Sequence, residues 1–136
     1  MGLRKQIAVG FLWAVIGLAG CSDLGTEPVS IDPPEPTVSF ADDIQPIFAQ
    51  NCVACHGIQG GMSLNVAVAW SNLVNVESTS YKPRLRVVPE DPAASVLYLK
   101  LMGDVTTGDR MPQGGSLAPA AIELIRVWIA EGALNN

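Results

Sequence analysis

The chain has 136 residues, with 8 Lys or Arg, 13 Asp or Glu and a single His, for a formal net charge of −5 at pH 7. That length suits one modest domain and is short for two ordinary ones. The acidic balance argues against nucleic acid as a partner, because binding phosphate needs a basic surface; protein partners with basic docking surfaces are expected instead.

Residues 1–20 read as an address. Arg4 and Lys5 form a positive start, and Ile7 to Leu18 form an apolar run of signal-peptide size. A spanning helix needs about 20 apolar residues, so this run is short for one. Leu18-Ala19-Gly20-Cys21 comes next and resembles the lipobox of bacterial lipoproteins. That resemblance implies cleavage before Cys21 and acylation of Cys21 with more than one chain, as stable anchoring to a membrane requires. The implied location is the bacterial cell envelope, facing the periplasm. Ser22, where an Asp would signal retention at the inner membrane, tilts the expectation toward the outer membrane. Residues 21–38 then form a lipid-anchored linker, kept extended by Pro28, Pro33, Pro34 and Pro36 and solvated by Asp23, Glu27, Asp32 and Glu35.

The domain proper spans 39–136 and predicts an all-α fold of short helices and loops. A first helix is expected over Asp43–Gln50, with Pro46 in its first turn and Ile44, Ile47 and Phe48 on one face. A second, over Val66–Leu73, takes Asn65 as its cap. The third opens on Asp91 as N-cap with Pro92 at N1, carries Val96, Leu97, Leu99 and Leu101, and stops at Gly103. The fourth, about Pro119–Glu131, places Ala121, Leu124, Ile125, Trp128, Ile129 and Gly132 on one arc. Gly132 on that arc suggests close approach by another helix, the Ile44/Phe48 face being the candidate.

The chemistry concentrates in Cys52-Val53-Ala54-Cys55-His56, where the chain's only histidine directly follows a CxxC pair. This is the spacing by which two thiols bond a haem's vinyl groups and the next imidazole becomes the proximal iron ligand. Cys52 and Cys55 are thus expected to be the thioether residues of one covalent haem c, and His56 its proximal ligand. Competing readings are weaker. A thioredoxin-like pair needs a βαβ setting, a structural zinc needs further Cys or His ligands, and a disulfide across three residues closes too short a loop to stabilise much.

A sixth iron ligand must come from elsewhere, and methionine is the natural candidate. Met62 lies close behind His56 for a chain that must reach the opposite haem face. Met102 ends the apolar third helix, where core packing is its default role. Met111 sits in the polar loop Gly108-Asp109-Arg110-Met111-Pro112-Gln113-Gly114-Gly115, with no helical face to fill and Pro112 to stiffen it. Met111 is the preferred ligand.

These pieces together resemble the class I cytochrome c domain. The matching stretches are Ile44-Gln45-Pro46-Ile47-Phe48 leading into Cys52–Gly57, then Val87–Pro92, then Arg110-Met111-Pro112, then Trp128–Ala133. The resemblance implies short helices and loops wrapped around one covalent haem, with His56 and the Met111 of the Met-Pro pair as axial ligands and the first and last helices crossing near it. Glu90 departs from it, standing where a glycine is usual.

The function implied is electron transfer and not enzymatic catalysis: a membrane-tethered monohaem cytochrome cycling Fe(II)/Fe(III) between redox protein partners. A haem-bearing subunit of a larger complex, or a five-coordinate haem sensor or catalyst, are the alternatives. Arg84 and Arg86 are candidates for pairing with the haem propionates, and Trp70, Tyr98 and Trp128 for lining the crevice or filling the core. The second ring nitrogen of His56 is expected to donate to a backbone carbonyl.

Overall fold

The computed structural model describes residues 35–57 and 61–136. The leader, Cys21 and the linker as far as Pro34 lie outside the described residues.

The described chain is mostly helical, in short helices joined by loops. It opens with a π-helical turn, Phe40–Ile44, in which the Ser39 carbonyl accepts from both Asp43 and Ile44. Ser39 and Asp43 cap each other: Ser39 Oγ takes the Asp42 amide and Asp43 Oδ2 takes the Ser39 amide at 2.8 Å. The turn runs into α1, Gln45–Asn51, with Pro46 in the first turn as expected. A break at Cys52 separates α1 from α2, Val53–His56.

The next helix, α3, covers only Ala69–Leu73. The Asn65 carbonyl accepts the amides of Val68 and Ala69, so Val66–Val68 form a turn where the sequence suggested helix. The Asn65 side chain reaches back to the Gly57 carbonyl instead of capping. Similarly, α4 covers Val96–Met102 and begins later than expected. Asp91 Oδ1 accepts from the Ala94 amide at 2.9 Å and so caps a separate turn before α4. Gly103 does end α4 in the left-handed region (φ +72°), with the Asp104 amide returning to the Leu99 carbonyl. A 3-10 turn at Val105–Thr107 precedes the last helix, α5, Pro119–Ala130.

Among the described residues there is no sheet, only isolated bridges pairing Val74 with Val87, Glu77 with Leu85 and Val88 with Asp91. No described helix is long and apolar enough to cross a membrane.

The core joins the two ends of the domain. Phe40 stacks its ring 5.2 Å from that of Trp128 and meets Phe48 edge-on at 6.2 Å. Ile44, Phe48, Ile125, Trp128 and Ile129 are essentially without exposure. The first and last helical segments therefore pack together, on a face of α5 rotated from the predicted arc: Ile122 is buried and Leu124 is 37% exposed. Gly132 serves a different end from the one expected. Its φ is +99° and a side chain there would touch only the tip of Leu134, so it supplies a left-handed exit from α5 and no helix approaches it. Buried Trp128 and half-buried Trp70 both satisfy their indole N–H, Trp128 Nε1 donating to the Leu134 carbonyl and Trp70 Nε1 to that of Ala133, each at 2.8 Å.

The packed fold also reaches into the stretch assigned to the linker. Val38 is buried, and the Thr37 and Val38 amides and the Thr37 hydroxyl all donate to the Glu131 carboxylate.

Candidate functional site

The break at Cys52 gives the motif its shape. Because α1 stops and α2 restarts there, Cys52 is half-buried and Cys55 exposed, and both are free thiols. The chain turns away directly after His56. A Cβ at Gly57 would stand 2.9 Å from the Val53 carbonyl, closer than real side chains come, so the turn as built requires glycine there. The returning chain is pinned by the Leu64 amide on the His56 carbonyl at 2.7 Å, and Leu64 by Gln45 Nε2.

Cys52, Cys55 and His56 line a cleft of about 620 Å³, and Met111 lines the same cleft. Cofactor-sized sites span roughly 300–1,000 Å³. Apolar walls come from Leu64, Leu73, Leu97 and Leu101. Among the described residues two cations, Arg86 and Lys100, face the cleft and no carboxylate does, although the chain as a whole is acidic. The cleft is thus largely apolar, with Arg86 as a cation at its wall.

The other residues singled out from the sequence divide. Arg86 is at the cleft, spending Nη1 on the Asn72 carbonyl (2.7 Å) and Nη2 on that of Gly61 (3.1 Å). A guanidinium has five N–H donors, so some remain for an anion. Arg84 lies away from the cleft and bonds Thr106 Oγ1. Met102 is 51% exposed and also off the cleft, neither ligand candidate nor core. Met62 does line the cleft despite its short spacing from His56. Trp70, Tyr98 and Trp128 belong to the core or pack on it and not to the cleft.

His56 differs from expectation. Its Nδ1 is buried and meets no hydrogen-bond partner among the described residues, so no backbone carbonyl fixes its tautomer. A buried polar group left unpaired costs about 1–3 kcal/mol. The bond expected of the second ring nitrogen is thus absent, and the imidazole lies in the cleft wall with its Nδ1 unpaired.

The Cys52 thiol is pushed up to about 11, first by burial and then by the charge of Cys55. A thioredoxin-like nucleophile needs the opposite shift, a stabilised thiolate. Among the described residues no three His, Cys, Asp or Glu side chains gather as a metal-ligand set.

Tyr81 and Lys100 also line the cleft and went unremarked in the sequence. Lys100 carried a signal: it is the only charged residue in the apolar run of α4. Tyr81 carried none, since it ends a polar loop whose path depends on tertiary contacts.

Comparisons of the chain with protein-family models, curated proteins and solved structures returned no match.

Proposed function

We propose that the domain holds one covalent haem c in this cleft and works as a one-electron carrier of the class I cytochrome c type, tethered to the bacterial envelope through a lipid on Cys21. The observation that carries the reading is that Met111, half the domain away in sequence, lines the same cleft as Cys52, Cys55 and His56. Chance assembly of two thiols, an unpartnered imidazole and a distant thioether around one apolar cleft is a poor account.

Each side chain then has a task. Cys52 and Cys55 would supply the two thioether sulfurs. His56 and Met111 would hold the iron through nitrogen and sulfur, a ligand pair that raises the reduction potential. Leu64, Leu73, Leu97 and Leu101 exclude water, which disfavours the extra positive charge of the oxidised state. Arg86 offers its remaining N–H groups to a propionate. The iron, when bound, supplies the Fe(II)/Fe(III) couple. Electron transfer through such a site calls for small, short-lived encounters, here with partners presenting basic surfaces to an acidic protein.

The test is the visible spectrum, oxidised and reduced, of protein made with the cytochrome maturation machinery. Covalent, low-spin haem is expected, with Met111→Ala altering the ferric spectrum and Met62→Ala leaving it unchanged. A colourless product with both thiols open to alkylation would overturn the reading, and an unchanged Met111→Ala spectrum would favour the five-coordinate alternative.

A further inference from the structure

The loop that carries Met111 holds itself, ahead of that residue, only at its start, where Asp104 bonds Thr106 and Thr107. Between α4 and Met111 the chain is polar and exposed, Val105 being 92% exposed, and only Thr107 is fully buried. Asp104 caps its 3-10 turn and Arg84 bonds Thr106, but most of the bonds that reach the loop near Met111 come from one residue of α4. Lys100 Nζ donates to the Thr107 carbonyl at 2.8 Å, to the Asp109 carbonyl at 2.7 Å and to the Tyr81 hydroxyl at 3.1 Å. The Lys100 backbone carbonyl in turn accepts the Met111 amide at 2.9 Å. The next residue of α4 adds one bond, its Leu101 carbonyl accepting from Arg110 Nε. Tyr81 supports the arrangement by donating its hydroxyl to the Thr107 carbonyl and by lying 5.3 Å from the ammonium across its ring.

An ammonium has three donors and no more. All three of Lys100 are engaged by the loop and Tyr81, so none is left for an anion in the cleft. This separates it from Arg86, the other cation there.

We propose that Lys100 is a positioning residue whose side chain grips the Thr107 and Asp109 carbonyls while its own carbonyl holds the Met111 amide, so keeping the Met111 thioether directed to the haem site. The inference rests on the reading of Met111 as an axial ligand, and it adds the device that keeps this ligand from leaving. Hydrogen bonds from a charged donor are stronger than neutral ones and are not replaced by an apolar side chain of equal length.

The experiment uses the haem-loaded protein and its Lys100→Met variant, with imidazole as a competing ligand followed by its spectral change. Lys100→Met is expected to bind imidazole about tenfold tighter, the equivalent of one charged hydrogen bond's contribution. In a Met111→Ala background the same substitution should change imidazole affinity by less than about twofold, because the ligand being positioned is gone. Amide hydrogen exchange on the same samples gives a readout independent of the iron. The Met111 amide should exchange about tenfold faster in Lys100→Met, while the Leu99 amide, bonded to Ser95 within α4, stays as it was. Tyr81→Phe, which keeps the ring, should move both readouts the same way by about threefold, and it decides the matter if Lys100→Met does not fold.

Unchanged imidazole affinity together with unchanged Met111 exchange in Lys100→Met would overturn the proposal. So would an imidazole effect that persists at full size without Met111. If instead no haem attaches, or Met111→Ala binds imidazole no tighter than the unaltered protein, the ligand assignment falls. The exchange of the Met111 amide then still shows whether Lys100 clamps the loop.

Discussion

Glu90 occupies a backbone position that suits glycine. Its φ is +67°, while its amide donates to the Ile129 carbonyl at 2.7 Å and so ties the Val87–Asp91 turn to α5. Its carboxylate is exposed and makes no ion pair or side-chain hydrogen bond among the described residues. Left-handed backbone costs a non-glycine residue about 1–2 kcal/mol. Glycine escapes that cost but loses roughly 0.5–1 kcal/mol through the extra freedom of its unfolded chain. Glu90→Gly keeps the amide bond to Ile129 and should therefore stabilise the domain by about 0.5–1 kcal/mol, raising Tm by about 2–8 °C for a domain of this size. Glu90→Ala is the control: it removes the same carboxylate and keeps the strain, and it should stay within about 0.5 kcal/mol of the unaltered protein. Urea unfolding followed by tryptophan fluorescence, which reports the Trp128 core, measures both. A Glu90→Gly variant that merely matches Glu90→Ala, or is the less stable of the two, would refute the assignment of strain to this residue.

Three further outcomes are expected. Gly57→Ala forces a Cβ against the Val53 carbonyl, a backbone atom that cannot swing aside, and should cost about 1–3 kcal/mol in a urea melt; a neutral result would show that α2 yields there. The bonds from Thr37, and also from Val38, hold the Glu131 carboxyl below its usual value of 4.5. A lowered carboxyl stabilises fully above its unfolded value and ceases to do so as pH falls through its folded one. Glu131→Gln should thus lower Tm at pH 7, with the difference closing below about pH 4.5; a gap that widens in acid would reverse the sign. In haem-free protein, alkylation should reach exposed Cys55 first, and the Cys52 rate should keep rising with pH toward about 11. A plateau near the ordinary thiol value of about 8.5 would contradict the burial argument.

What the amino-acid sequence determined by itself was whatever neighbours along the chain can arrange. Five consecutive residues, Cys52 to His56, hold two thiols and an imidazole at a separation set by covalent geometry, so the motif was readable without the fold. The α5 apolar periodicity, Pro46 at the start of α1 and Gly103 at the end of α4 were local in the same sense. The tertiary structure alone decided which of several equivalent side chains face the cleft. Nothing in composition separates Arg86 from Arg84, or Met62 from Met102, because each pair differs only in how distant segments fold back. The roles of Lys100 and Tyr81 depend on carbonyls seven or more residues away, and the left-handed backbone at Glu90 on a bond to α5. Such contacts join parts of the chain whose meeting is a property of the packed core, and no window of sequence contains them.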